Sequence, residues 1–84
     1  MGPNQLADEA KTIGTKETLK AVKNHKVYKV FIAKDAERHI VLPIIEACKE
    51  SKIEIDEVET MVELGKACGI QVPAAAAALI NKIK

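Results

Sequence analysis

The chain has 84 residues, of which 48% are hydrophobic and 30% are charged, and its formal net charge at pH 7 is +1. This length predicts one domain spanning residues 1–84, and the composition is typical of a folded globule rather than a disordered segment or a membrane protein. Because the net charge is small, any attraction to nucleic acid must come from the placement of the lysines. No apolar run reaches about 18 residues and the N-terminus lacks the apolar core of a secretory signal, so we expect a cytoplasmic protein without membrane contact.

The first third of the chain predicts two helices. Residues 4–12 are expected to form a short helix with a thin apolar side, which residues 13–14 end. A second helix is expected at residues 15–23, whose apolar side chains fall on one side at about 100° per residue. Asn24 and His25 should end it, because asparagine tolerates the left-handed conformation common at helix ends.

The middle of the chain predicts a buried strand, a helix and a second strand. Residues 27–33 are rich in β-branched and aromatic side chains, which favours a central strand. A polar turn at residues 34–38 leads to an apolar helix at residues 40–49, in which Pro43 fits best if the regular part begins near it. Residues 53–58 alternate imperfectly between apolar and polar, which indicates a short strand at the edge of a sheet.

The last third of the chain begins with a clear helix signal. Thr60 and Glu63 have the spacing of a capping box, and Gly69 should stop the helix that follows. Residues 70–73 then form an apolar loop that ends in a proline. Composition alone predicts a helix for the alanine-rich residues 74–83, because alanine is the best helix former.

The order of these elements favours an α/β fold. Two helices, then strand, helix, strand and helix with short connections suit a three-layer α/β/α sandwich, in which helices cover both faces of a sheet. The residues alone leave open whether the final segment is a helix or a strand.

The second predicted helix carries an ordered set of charges. A basic stripe at positions i, i+4 and i+7 consists of Lys16, Lys20 and Lys23. Gly14 and Thr15 suit the start of the helix, where free N–H groups and the helix dipole favour an anion such as phosphate. Glu17 places a carboxylate within this basic stripe. Binding to phosphate alone would not explain a carboxylate there, whereas binding to a base edge with hydrogen-bond donors would. The alternative without a function is a solvated helix face on which Glu17 and Lys20 form an i, i+3 ion pair.

The cysteines and histidines give little support to catalysis or metal binding. Cys48 and Cys68 lack the close spacing of a zinc motif and are expected to be reduced core residues. His25 and His39 show no ligand spacing and are expected at the surface. A cysteine nucleophile would need a nearby histidine or an electropositive setting, which the sequence does not show. No catalytic residue, metal or cofactor is therefore predicted.

Three segments of the chain carry a family resemblance. They are Gly-Thr-Lys-Glu-Thr-Leu-Lys at residues 14–20, Val-Phe-Ile-Ala-Lys-Asp-Ala-Glu at residues 30–37, and Leu-Gly-Lys-Ala-Cys-Gly-Ile-Gln-Val-Pro-Ala-Ala at residues 64–75. Taken together and in this order, they resemble the ribosomal protein L7Ae family of kink-turn RNA binders, in particular its short stand-alone bacterial members. The resemblance covers nearly the whole chain.

The resemblance implies a sandwich with a small mixed sheet of about four strands, in which residues 75–80 are a strand despite their alanines. It also implies binding to a kink-turn, an internal RNA loop with tandem sheared G·A pairs that folds into a sharp bend. Carried over by position, the RNA-binding residues would be Gly14, Thr15, Lys16, Glu17 and Lys20 on a first surface, Ile70, Gln71, Val72 and Pro73 on a second, and Glu37 near the extruded nucleotide. Many archaeal and eukaryotic members have asparagine in place of Lys16 and a basic residue near Met61, so sequence discrimination should be weaker here.

These residue types suit a sheared G·A pair, whose guanine exposes N1–H beside O6. Glu17 would accept a hydrogen bond from the guanine while Lys20 donates to O6 or N7. Lys16 and Lys23 would contact phosphates, which positions the helix without reading the sequence. Residues 70–73 would offer an apolar surface to a splayed base.

Two functions from different classes follow from these features. The first is a non-enzymatic, ribosome-associated RNA-binding protein that is monomeric, binds structured RNA such as ribosomal RNA or a riboswitch, and does not bind DNA. The second is a protein-interaction module that docks through the apolar loop at residues 70–73, with its lysines merely solvated. Because Tyr28 and Phe31 both fall in the predicted core strand, stacking of bases on a sheet face is disfavoured.

Overall fold

A mixed sheet forms the middle layer of the protein. The computed structural model describes residues 10–80, and within them the sheet has four strands in the order β1-β4-β2-β3. The strands are β1 (Lys11–Ile13), β2 (Val27–Ala33), β3 (Glu54–Val58) and β4 (Ala76–Ile80). β4 is antiparallel to β1 and to β2, whereas β2 and β3 are parallel. The two strands predicted in the middle of the chain are thus confirmed, the second of them at an edge of the sheet.

Helices cover both faces of this sheet. Within residues 10–80 they are α1 (Thr15–Lys23), α2 (Arg38–Ser51) and α3 (Met61–Cys68). α1 and α2 pack together on one face, and α3 lies on the opposite face. The predicted three-layer α/β/α sandwich is confirmed, as are the bounds of α1. In the same part of the chain, no helix has the length and the apolar character that crossing a membrane requires.

Each face of the sheet has its own apolar core. The core under α1 and α2 includes Val22, Val30, Ile32, Val41, Ile44, Cys48, Ala76 and Ala78. The core under α3 includes Phe31, Ala33, Leu64, Cys68, Ala74, Ala77 and Leu79. Successive residues of β2 and β4 alternate between the two cores, because neighbouring side chains of a strand point to opposite faces. Both strands are therefore buried on both sides, as central strands are.

β4 is a strand although composition alone predicts a helix for it. Ala76, Ala77 and Ala78 are fully buried, and their backbone pairs with β1 on one side and with β2 on the other. These two rows of hydrogen bonds outweigh a helix preference worth less than about 1 kcal/mol per residue. The small side chains also let helices approach both faces closely. The strand that the family resemblance implies for residues 75–80 is confirmed.

The predicted helix at residues 4–12 is wrong where the structure describes this part of the chain. Residues 4–9 lie outside the described residues. Lys11 and Thr12 belong to β1, and so does Ile13, which was expected to end the helix. The reason is tertiary, because β4 presents an edge whose backbone groups need partners, and the β-branched Thr12 and Ile13 suit a strand.

Tyr28 and Phe31 differ in burial although both lie in β2. Phe31 is 1% exposed and belongs to the core, whereas Tyr28 is 39% exposed, so a core position for Tyr28 is wrong. The pairing of β2 with β4 is irregular between Val27 and Lys29. Such a bulge changes which face the flanking residues point to. As a result Val27 and Val30 share the core under α1 and α2.

α2 begins earlier than the sequence predicts. It starts at Arg38 with Glu37 as its N-cap residue, so Pro43 stands inside the helix rather than near its start. The N–H of Ile40 donates to the Glu37 carbonyl at 3.1 Å, which closes the first turn. Pro43 has no N–H to donate to the His39 carbonyl, but both residues are exposed, so water can solvate that carbonyl.

A left-handed residue follows α1, but it is His25 rather than the expected Asn24. Asn24 has a φ of −90°, whereas His25 has a φ of 58°. The N–H of His25 donates to the Val22 carbonyl at 3.0 Å. The N–H of Lys26 donates to the Ala21 carbonyl, also at 3.0 Å. These two bonds form a Schellman motif, in which glycine is the usual left-handed residue.

The predicted start and end of α3 are confirmed. The N–H of Glu63 donates to Thr60 Oγ1 at 3.0 Å, and Gly69 ends the helix with a φ of 85°. Another element adds to this cap, because the N–H of Met61 donates to Asp35 Oδ1 at 2.8 Å. Asp35 thereby ties the turn after β2 to the start of α3.

Replacing His25 by glycine is expected to stabilise the fold, and so is the same change at Lys52, whose φ is also 58°. Glycine removes the cost of left-handed backbone, but its larger unfolded-state entropy offsets part of this gain. We expect His25→Gly and Lys52→Gly each to raise the free energy of unfolding by about 0.5–1 kcal/mol, measured by urea denaturation. Asn24→Gly is the control and should lower stability, because Asn24 has an ordinary φ. A less stable His25→Gly protein would contradict this account of the turn.

Candidate functional site

The ends of β2 and β3 and the starts of the described helices meet at one edge of the sheet, here called the carboxyl edge. Ala33 and Val58 lie side by side there, because β2 and β3 are parallel. β1 and β2 are both antiparallel to β4, so they run in the same direction and end at the same edge. α1 follows β1 and therefore begins at this edge. α2 follows β2 and α3 follows β3 after short turns. The positive ends of the helix dipoles therefore gather at this edge, where they favour anions.

Backbone hydrogen bonds join the start of α1 and the end of β2 to the chain where β4 begins. The N–H of Gly14 donates to the Ala76 carbonyl at 2.8 Å, and the N–H of Ala33 donates to the Ala75 carbonyl at 3.0 Å. Residues 70–73 shortly precede these two alanines. The start of α1 therefore meets the start of β4 at the carboxyl edge, and the loop at residues 70–73 leads into that strand through residues 74–75.

The start of α1 has free backbone donors. The first hydrogen bond of the helix joins the Thr18 N–H to the Gly14 carbonyl at 2.9 Å. The N–H groups of residues 15–17 therefore have no partner within the helix. Gly14 is the N-cap residue with a φ of 105°, and no side chain caps the helix. Thr15 is the first helical residue, so its hydroxyl does not occupy the capping position.

The charged side chains of α1 lie on its outer face. The exposed residues are Lys16, Glu17, Lys20 and Lys23, and the residues buried beneath them are Thr18 and Val22. One shallow hollow on this face is lined by Lys16, Leu19, Lys20, Lys23 and Asn24. The structure therefore brings the predicted basic stripe together as one continuous surface.

A second hollow lies on the other side of Lys20 and is here called the α1 hollow. Its lining residues are Thr12, Glu17, Lys20, Ala21, Asn24, Lys26 and Ile80. Among these described residues, Glu17 is the one carboxylate. Sequence reasoning missed Thr12, Lys26 and Ile80, because they reach the hollow through β1, the turn after α1 and β4 rather than through helical spacing.

Glu17 and Lys20 line the α1 hollow together without pairing with each other. Both side chains are exposed, and within residues 10–80 neither forms an ion pair or a side-chain hydrogen bond. The alternative of an i, i+3 ion pair is therefore not what the structure shows. A free carboxylate beside a free ammonium presents a hydrogen-bond acceptor and a donor to the same ligand.

The loop at residues 70–73 is held against α3 along its length. The N–H of Ile70 donates to the Gly65 carbonyl at 3.1 Å, and the N–H of Ala74 donates to the Met61 carbonyl at 3.0 Å. Between these bonds, the Val72 carbonyl lies so close to Gly65 that a Cβ on this glycine would overlap it. The loop is therefore a fixed surface rather than a flexible connection.

An apolar hollow separates this loop from the outer face of α3 and is here called the loop hollow. It is lined by Val62, Lys66, Ile70, Gln71, Val72 and Pro73. Val62 is 52% exposed and Val72 is 61% exposed, so apolar surface is open to solvent. Sequence reasoning missed Val62 and Lys66, although their i, i+4 spacing on the face of α3 opposite Leu64 would have indicated them.

Glu37 lies at the carboxyl edge as the N-cap residue of α2. Its carboxylate is exposed and lies 3.4 Å from His39 Nε2. Arg38, which sequence reasoning did not select, follows it and lines a further hollow with Lys34 and Glu57. The structure thus places Glu37 at the same edge as Gly14 and Thr15, where α1 begins.

The two cysteines are poor candidates for a nucleophile. Cys48 is 0% exposed and Cys68 is 5% exposed, and burial raises the pKa of both thiols. Because the thiolate is the reactive form, both should be inert at neutral pH. Within residues 10–80, no cluster of three or more histidine, cysteine or acidic residues could hold a metal ion.

Comparison with known proteins finds relatives over almost the whole chain. A sequence model of the ribosomal protein L7Ae/L30e/S12e/Gadd45 family matches residues 5–83. An RNA-binding protein of Caldanaerobacter subterraneus subsp. tengcongensis is 57% identical over 68 residues, which are 81% of this chain and 83% of the relative. An RNA-binding protein of a Geobacillus species is 42% identical over 82 residues, which are 96% of this chain and 100% of the relative. Among solved structures, the Giardia lamblia 15.5kD RNA binding protein has a TM-score of 0.85 and 30% identity, with 95% of this chain and 68% of that chain covered.

Replacing Gly65 by alanine is expected to displace residues 70–73. The new methyl group would overlap the Val72 carbonyl, which is backbone and cannot rotate away. We expect Gly65→Ala to lower the free energy of unfolding by about 1–3 kcal/mol, measured by urea denaturation. The control is Gly69→Asn, because no described atom crowds Gly69 and asparagine tolerates its positive φ, so the loss should stay below about 1 kcal/mol. Equal stabilities of Gly65→Ala and the parent would show that the loop does not pack in this way.

Proposed function

Because the chain belongs to the ribosomal protein L7Ae/L30e/S12e/Gadd45 family, we propose that it is a non-enzymatic RNA-binding protein that recognises and stabilises kink-turns. The two relatives and the solved structure described above are each named as RNA-binding proteins. The proposed targets are structured RNAs with tandem sheared G·A pairs, in the ribosome or in a riboswitch, bound by a monomer.

The observation that carries this proposal is that the carboxylate of Glu17 and the ammonium of Lys20 line one hollow, with neither of them paired within residues 10–80. A sheared pair leaves the guanine N1–H donor beside the O6 acceptor at an accessible edge. Glu17 accepts from N1–H, and Lys20 donates to O6 or N7, as lysine does in many base contacts. A surface for phosphates alone would gain nothing from Glu17, so this pair supports recognition of bases.

Phosphate contacts supply the rest of the attraction on α1. Lys16 and Lys23 lie on either side of Lys20 along the exposed stripe. The unpaired N–H groups at the start of the helix add donors near Lys16. Phosphate contacts position the protein on the RNA and carry no sequence information. Local placement of lysines can thus bind RNA although the net charge of the chain is only +1.

Residues 70–73 form the second surface of the proposed interface. Val72 and Pro73 expose apolar groups at the loop hollow, and RNA loops offer unstacked bases to such groups. The bonds from Ile70 and Ala74 to α3 hold the loop in place before binding. A rigid surface of this kind loses little conformational entropy when the RNA binds.

The proposed mechanism is selection of one RNA conformation. A kink-turn exchanges between extended and bent forms, and Glu17 and Lys20 match a guanine edge that only the bent form presents to both residues. Binding to the bent form alone shifts the population toward it by mass action. No covalent step is involved, which agrees with the unreactive environment of both cysteines.

Removing either member of the Glu17–Lys20 pair is expected to weaken binding without unfolding the protein. We expect Glu17→Ala and Lys20→Ala each to lower affinity for a kink-turn duplex by about 10-fold to 100-fold, because each removes contacts to a base edge. Fluorescence anisotropy with labelled RNA measures the affinity, and urea denaturation checks the fold. Glu46→Ala and Lys49→Ala, both at exposed positions of α2, are the matched controls.

A second RNA tests whether the contact depends on the G·A pairs. In this RNA, Watson–Crick pairs replace the G·A pairs and the strand lengths stay the same. The parent protein should prefer the first RNA, and Glu17→Ala should lose most of that preference. Equal binding of both RNAs by the parent, or unchanged binding by both variants, would refute the proposal.

The exposed apolar groups of the loop hollow favour the alternative of a protein-interaction module, and Val72 separates the two functions. If residues 70–73 contact RNA, Val72→Ser should lower kink-turn affinity by about 3-fold to 10-fold through the loss of apolar contact area. Leu42→Ser is the control, because Leu42 is 40% exposed on α2. Unchanged RNA affinity of Val72→Ser, combined with weakened binding of Glu17→Ala, would assign this loop to a protein partner instead.

A further inference from the structure

Lys26 shares the α1 hollow with Glu17 and Lys20 although it lies outside α1. The Schellman motif turns the chain back after the helix, and the bond from the Lys26 N–H to the Ala21 carbonyl holds this residue beside the last turn. The helical spacing that predicts the basic stripe does not extend past the turn. Lys26 is thus an additional cation at the hollow that helical periodicity does not indicate.

The position that Lys26 occupies in the motif usually carries an apolar residue, which packs on the helix. A lysine can provide this apolar contact, because its methylene groups can pack over Ala21 while its ammonium stays in water. Lys26 is exposed and has no ion pair within residues 10–80. Lys20 and Lys23 already lie in the last turn of α1, so the negative end of the helix dipole does not need Lys26 for its stabilisation. As far as residues 10–80 are concerned, the ammonium of Lys26 is therefore available to an anionic ligand.

We infer that Lys26 contacts the RNA backbone next to the base pair that Glu17 and Lys20 contact. The α1 hollow then holds a base edge at one end and a phosphate at the other. Glu17, Lys20 and Asn24 follow one another along α1 at intervals of about 5 Å, so a strand lying along the helix passes Lys26 after the purine. A phosphate contact of this kind positions the strand and does not select the base.

This inference rests on the proposed function and is tested with the same kink-turn RNA. We expect Lys26→Ala to lower affinity by about 3-fold to 10-fold and to make the slope of log affinity against log salt less negative by about one, because one phosphate contact is lost. Lys26→Arg should keep both values near those of the parent. Lys49→Ala, which removes an exposed lysine from the last turn of α2, should change neither.

Preference for the G·A pairs separates positioning from base reading. Lys26→Ala should keep the parent's ratio of affinities for the RNA with G·A pairs and the RNA with Watson–Crick pairs, whereas Glu17→Ala should lose it. Unchanged affinity of Lys26→Ala, an unchanged salt slope, or a reduced G·A preference would each overturn the inference. If Glu17→Ala still weakens binding in that case, the proposed function stands without Lys26.

Discussion

The pairing of β4 with both of its neighbours is the interaction on which the proposed interface depends. β4 lies between β1 and β2, and the bonds from Gly14 to Ala76 and from Ala33 to Ala75 continue this pairing up to the carboxyl edge. These bonds bring the start of α1 to the end of β4 that the loop at residues 70–73 leads into. Segments that are about 60 residues apart in the chain therefore meet at one edge of the sheet, because a strand must satisfy its backbone groups on both sides.

Local charge rather than total charge characterises this surface. The chain is almost neutral, yet three of its lysines line one face of α1, and within residues 10–80 Glu17 forms no ion pair with them. An exposed ion pair contributes little to stability, so leaving Glu17 and Lys20 apart costs the fold little. In the proposed complex, the same two groups would gain much more on meeting a base edge that excludes water. Their separation therefore favours recognition over stability.

Rigidity of the second surface comes from close packing of backbone on backbone. Gly65 has no side chain, so the Val72 carbonyl can approach α3 and the loop can follow the helix back toward the carboxyl edge. The start of α3 is also fixed by short contacts. Thr60 and Asp35 each accept a hydrogen bond from one backbone N–H in the first turn of α3. Both features fix the edge before any ligand arrives, which lowers the entropic cost of binding.

The sequence by itself determined the elements with strong local signals and the charges on the face of α1. The bounds of α1, the cap at Thr60, the stop at Gly69 and the strand character of β2 follow from propensity, capping chemistry and side-chain period, all of which act within a few residues. The family resemblance was needed for the strand at residues 75–80, since alanine favours a helix. Only the tertiary structure decided that Lys11–Ile13 is a strand, that His25 is the left-handed residue, and that Lys26 lines the candidate site. These features depend on partners distant in the chain or on packing between elements, and no short window of sequence contains that information.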